Sequence, residues 1–199
     1  MVLARSGKDG TWSQLGLTPP EYERVVREIL SRADRWRPRE TDNAERMDWF
    51  VALLGHADPR PHELAYLEIG RAPYAEIRGL ARRIPRRGPL EAMLVEPRYL
   101  EWRSLAILML GESDRQADRL RVRAAVSQKA RLRSNLKLAA WATALLALDG
   151  EDGMRRLRML YLADDRRERE ELEAVIHAVS VYTAAEPVRR DQAAEFYRR

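Results

Sequence analysis

His56, Asp58 and His62 fall within one short stretch, and two neutral imidazoles with a carboxylate are the side chains that bind zinc or iron. Their setting points to a local role instead. Asp58 stands where a turn needs a capping carboxylate, and Pro59 follows it as a first-turn proline. His177, the remaining histidine, is far along the chain. Acid–base catalysis would need two carboxyl groups in one cleft with separated pKa values. Glu168, Glu170 and Glu171 interleave with Arg166, Arg167 and Arg169, the pattern of a solvated helix face with i,i+4 ion pairs. Gly150 and Gly153 read as a turn ending a helix, without the ligand spacing of a calcium loop. No glycine-rich phosphate loop or serine nucleophile motif is present. No catalytic residue, metal or cofactor is expected.

The arginines are the other chemistry on offer. Arg78 and Arg82 stand one helical turn apart, with Arg86 and Arg87 after Pro85. A second basic stretch holds Arg119, Arg121, Arg123, Lys129, Arg131, Arg133 and Lys137, with Asp118 close by. With Trp102 and Trp141 near in sequence, such a stripe could hold phosphates and stack a base. Tryptophans at helical spacing more often belong to a core, and arginine stems often cover apolar helix surface. The residues taken forward as a candidate binding surface are Arg78, Arg82, Trp102, Arg103, Arg131, Arg133 and Lys137.

The elements that position these residues are helices. Residues 1–18, with Gly7, Gly10 and Gly16 and no periodicity, read as a flexible arm, and residues 19–199 as one domain. Thr18-Pro19-Pro20-Glu21 forms a helix start with a capping box. Behind it Tyr22, Val25, Val26, Ile29, Leu30, Ala33 and Trp36 share one face. A second helix is expected over about residues 43–55, with Met47, Phe50, Leu53 and Leu54 inward. Turns at residues 56–59, 95–97, 130–134 and 164–165 then each precede an apolar helix, at 63–70, 100–111, 135–150 and 171–185. Small residues recur with them at a period of about 40, which stacked α-hairpins produce because one hairpin cannot bury its own apolar face. A further helix is expected over residues 190–199, with Ala193, Ala194, Phe196 and Tyr197 as its apolar positions.

Residues 50–74 (FVALLGHADPRPHELAYLEIGRAPY) and 94–112 (LVEPRYLEWRSLAILMLGE) carry leucines, a turn, and a helix with a small residue at the crossing. This scheme resembles HEAT-type repeats over about residues 43–185, although His62-Glu63 and Trp102-Arg103 stand where such repeats carry Val-Arg. The resemblance implies an all-α, right-handed superhelix of about four stacked helix pairs, with residues 22–36 as an N-terminal capping helix. It also implies a non-catalytic scaffold that binds a protein partner on its concave face. The alternative is a nucleic-acid-binding protein of the same type, its phosphate contacts made by the arginine stripe.

Composition narrows the class. Across 199 residues there are 36 Lys+Arg and 31 Asp+Glu, a net charge of only +5, which makes a modest polyanion ligand. With 45% hydrophobic residues the chain is globular rather than disordered. It has no cysteine, which removes disulfides, thiolate catalysis and cysteine-bound metal. The longest apolar run, residues 138–148, is short of the roughly 20 residues that span a membrane, and reads as a helix buried on all sides. No signal-peptide core opens the chain, so the expected location is the cytoplasm unless a leader precedes it.

Overall fold

Runs rich in Leu, Ala, Arg and Glu, punctuated by Pro and Gly, form helices here as their propensities dictate. The computed structural model describes residues 2–5, 12–16, 20–33, 35–36, 44–56, 58–81, 87–186, 194 and 196. These residues are mostly helical, and two compact units divide them, residues 1–67 and 68–199.

In the first unit, β1 (Val2–Arg5) pairs antiparallel with β2 (Trp12–Gly16), inside the segment that reads as an arm. The sequence pattern does not announce this ladder, because strands so short carry little alternation. Helix α1 (Pro20–Ser31) buries Val25. Thr18, the expected cap, lies outside the described residues. Helix α2 (Ala44–Leu53) buries Met47, Phe50 and Val51. Trp36, Trp49 and Phe50 form an aromatic cluster, with Trp49 and Phe50 edge to face at 5.1 Å. The Arg32 guanidinium lies 5.1 Å from the Trp36 ring, and its carboxylate partners Glu28 and Glu45 flank it. Helix α3 (Pro59–Gly70) begins one residue after Asp58, whose Oδ1 accepts the Arg60 N–H at 2.9 Å.

The second unit contains α4 (Tyr74–Ala81), α5 (Arg87–Val95), α6 (Arg103–Leu110), α7 (Gln116–Leu132), α8 (Leu138–Asp149), α9 (Glu151–Leu157) and α10 (Arg169–Ala185). A π turn, Arg158–Leu162, extends α9. Helix α8 is apolar nearly all round and packs against α6, α7, α9 and α10. Leu138, Ala142, Ala144, Leu145 and Leu146 are fully enclosed, as an apolar run interrupted only by Thr143 predicts. Two glycines let neighbours close on it. A Cβ on Gly111 would lie 2.9 Å from Ala144 Cα, and one on Gly153 2.9 Å from the Leu145 oxygen. Gly153 thus lies inside α9, not in the expected turn; Gly150, at φ 54°, makes the turn alone.

Helices α4, α6, α8 and α10 pack in succession, and α4 also meets α10, so the four close into a circuit. Repeats in an open array touch only their neighbours, and this contact departs from that scheme. Helix α4 is itself additional to the expected pairs. Its Arg78 makes the closure: Nε donates to Glu112 at 2.8 Å, and Nη1 donates to Glu186 at the end of α10. Of the expected last helix, residues 194 and 196 are helical and Phe196 is buried; the remainder lies outside the described residues.

Candidate interaction surface

The His56–His62 stretch is engaged locally. Asp58 caps α3, the Asp58 N–H donates to His56 Nδ1 at 3.0 Å, and His62 hydrogen-bonds Tyr66 one turn on. The mixed run near residue 168 departs from a solvated face. Glu171 is 1% exposed, and Arg167 bridges it at 3.0 Å while donating to the Ala130 carbonyl at 2.6 Å. Arg169 and Glu173 do form the expected exposed i,i+4 pair, at 2.7 Å. Glu171 is buried because its carboxylate also closes the N-terminus of α10 in a capping box with Glu168.

The basic stretch lies on α7 and the turn after it, and tertiary contacts neutralise its first half. Arg123 holds Asp149 through two hydrogen bonds of 2.6 and 3.0 Å. Arg119 approaches the same carboxylate at 3.5 Å and donates to the Leu148 carbonyl. Arg121 pairs with Glu91 at 2.8 Å. Burial pushes the Lys129 ammonium below its usual pKa. Arg131 and Arg133 are exposed and Lys137 half-exposed, and none of the three has an ion-pair partner among the described residues. Arg133 donates to the Arg166 carbonyl at 3.0 Å.

The other candidates lie elsewhere. Arg78 is committed to Glu112 and Glu186. Trp102 stands half-buried before α6, with its Cζ3 4.0 Å from where a Gly70 Cβ would be. Arg103 Nη2 donates to the Val95 carbonyl at 3.4 Å. Arg82 lies outside the described residues. Among the described candidates, then, Arg131, Arg133 and Lys137 share one corner.

That corner has unusual backbone. Arg133 ends α7 at φ 51°, and Lys137 precedes α8 at φ 57°. Both are left-handed, where glycine or asparagine is favoured and other residues cost about 1 kcal/mol or more. The π turn runs alongside. Arg156 donates to Ser127 Oγ at 2.7 Å and the Tyr161 hydroxyl to the Val126 carbonyl at 3.4 Å, which fixes residues 156–167 along the second half of α7. Tyr161 is buried beneath the Arg167 guanidinium, and burial pushes its pKa up to about 12.

Sequence reading missed the apolar part of this surface. Helix α7 buries Val122, Val126 and Ala130, but a second line, Leu120, Ala124, Gln128 and Leu132, faces outward at four-residue spacing. Leu120 is 55% exposed, Leu132 and Leu136 are each 62%, and Met159 on the π turn is 65%. The signal was present as a second line on the helix with a leucine at each end, masked by the arginines around it.

One cleft of about 530 Å³ lies between the ends of α8 and α10, lined by Arg78, Asp149, Glu151, Asp152, Tyr182 and Glu186 among others. Arginines hold most of its acids: Asp149 with Arg123, Asp152 with Arg155, and Glu186 with Arg78. Beside Arg78, Tyr74 is buried and its hydroxyl makes no hydrogen bond of standard geometry. Burial, and then the Glu112 carboxylate, raise its pKa well above the ordinary phenol value.

No protein-family model matches the chain, and none of the curated proteins and none of the solved structures matches it significantly. Among the described residues, no helix is long and apolar enough to cross a membrane.

Proposed function

We propose that the protein is a non-catalytic interaction scaffold of HEAT-like type that binds a protein partner. One observation carries this reading. The outer side of α7 presents two exposed leucines, Leu120 and Leu132, on one row with Ala124 and Gln128, beside cations that no acid of the described residues neutralises. Exposed apolar residues in line, rimmed by polar ones, mark protein contact surfaces more often than isolated exposed leucines do. The helix pairs α5–α6 and α7–α8, and the succession α4, α6, α8, α10, support the repeat-like architecture. On this reading the partner meets the outside of α7, while α4, α6, α8 and α10 pack against one another.

The nucleic-acid reading keeps one observation in its favour, the exposed Arg131 and Arg133. Against it, Arg121 and Arg123 pair with acids and Arg119 lies beside one, which removes much of the phosphate track. The test is capture of partners by the immobilised full chain, with and without nuclease, beside titration with duplex DNA at increasing salt. Expected is nuclease-resistant capture that disappears when Leu120→Ser and Leu132→Ser are combined. Submicromolar DNA binding at physiological salt, with a salt slope that Arg131→Ala and Arg133→Ala together flatten by about two units, would overturn it.

A further inference from the structure

We infer that the outer face of α7 receives an acidic, amphipathic α-helix of a partner protein, an inference that rests on the scaffold reading above. The shape comes first. Leu120, Ala124, Gln128 and Leu132 form a single i±4 ridge, the kind of row that enters the groove of a second helix. From Leu120 to Leu132 the ridge runs about 18 Å at 1.5 Å per residue, the length of roughly three helical turns. Ala124 in its middle lets a neighbouring backbone come close. At its far end Leu136 adds an exposed side chain of the same kind.

Charge selects the occupant. Arg131, Arg133 and Arg166 are exposed around the end of the ridge, with Lys137 half-exposed. None of these four has an ion-pair partner among the described residues, so their charge is open to a ligand. Carboxylates on the flank of a docked helix would meet them, and such complementarity sets both partner choice and encounter rate. Two of these cations, Arg133 and Lys137, hold left-handed backbone that glycine would adopt at lower cost. Strain of that kind gathers at functional positions.

Other occupants fit less well. A second copy meeting this face through a two-fold axis would bring the same four cations to the contact a second time and so double the positive charge there. Duplex DNA gains nothing from the two exposed leucines of this row. An anionic membrane takes an apolar face of Trp, Phe or Leu that runs along the helix, and this ridge has two leucines about 18 Å apart with Gln128 between them.

The test uses three labelled helix-forming peptides of about sixteen residues, long enough to cover the ridge, titrated into the full chain by fluorescence anisotropy. One carries a leucine stripe flanked by glutamates, one the same stripe flanked by lysines, and one the glutamates with the leucines changed to serine. The first should bind at least about tenfold more tightly than either other. Its affinity should fall with added salt, while that of the lysine peptide rises. Arg131→Glu combined with Lys137→Glu should reverse the order of the first two peptides. Melting curves check that these exposed substitutions leave the fold intact, and the salt response of the unaltered protein does not depend on them. Equal binding of glutamate and lysine peptides would overturn the inference. So would tighter binding of duplex DNA or of phosphatidylserine-containing vesicles at the same salt. Leucine-dependent capture of a partner with no preference for the acidic peptide ends this inference and leaves the scaffold standing. Loss of both ends both.

Discussion

Helices α7 and α8 pack against each other and handle the same problem in opposite ways. In α8 the apolar residues enclose nearly the full circumference, and Thr143 turns its hydroxyl back to the Ala139 carbonyl at 2.9 Å. In α7 one apolar line faces the core, a mixed line of Leu120, Ala124, Gln128 and Leu132 faces out, and arginines fill the space between. The difference teaches that apolar burial is a sum over a segment, whereas the fate of a charge is decided by one distant partner. Arg123 and Asp149 are 26 residues apart, and Arg121 and Glu91 are 30 apart. A run of arginines in sequence is therefore not a measure of free positive charge.

The sharpest way to break this comparison is at the seam where α7 depends on a buried charge. Arg167→Ala would leave Glu171 buried without its cation and the Ala130 carbonyl without that donor. Chemical denaturation should show a loss of about 3–5 kcal/mol, the usual result of stranding a buried charge. A loss below about 1 kcal/mol, the range of an exposed pair, would mean that the Arg167–Glu171 contact is solvated like the rest of that run.

The packing contrast comes next in size. Ala144→Leu or Gly111→Ala forces atoms into the α6–α8 crossing and should cost about 1–3 kcal/mol. Leu120→Ser and Leu132→Ser, on the outer line of α7, should each stay within about 0.5 kcal/mol of the unaltered protein. Similar thermal midpoints for both sets would show that the outer line is not solvent-facing.

The smallest effect concerns the corner between the two helices. Arg133→Gly removes the left-handed penalty at φ 51° and should stabilise by about 0.5–1 kcal/mol. The same change should weaken binding of an acidic peptide, so that melting temperature and affinity move in opposite directions. A destabilised variant would place the contribution of Arg133 in its bond to the Arg166 carbonyl instead.

Much of the fold can be read from the residues. Helical periodicity announces α1, α2, α6, α8 and α10, and the Asp58-Pro59 pair announces the cap of α3. The candidate surface was half legible. Arg131, Arg133 and Lys137 stand out by charge, but Leu132 and Leu136 between them do not, because a leucine in a helix is core until a neighbour fails to cover it. Arg78 stood out for the wrong reason. It reads as a surface cation and sits instead in a network with Glu112, whose side chain is 4% exposed.

By itself the sequence determined the helical class, the burial of α8 and the Asp58 cap, since each follows from propensity and pattern within a few turns of chain. Tertiary structure alone decided which arginines are neutralised, where α4 meets α10, how closely Gly111 and Gly153 approach α8, and which side of α7 stays open. Those outcomes depend on residues brought together from tens of positions apart, and no local pattern encodes which acid will reach which arginine.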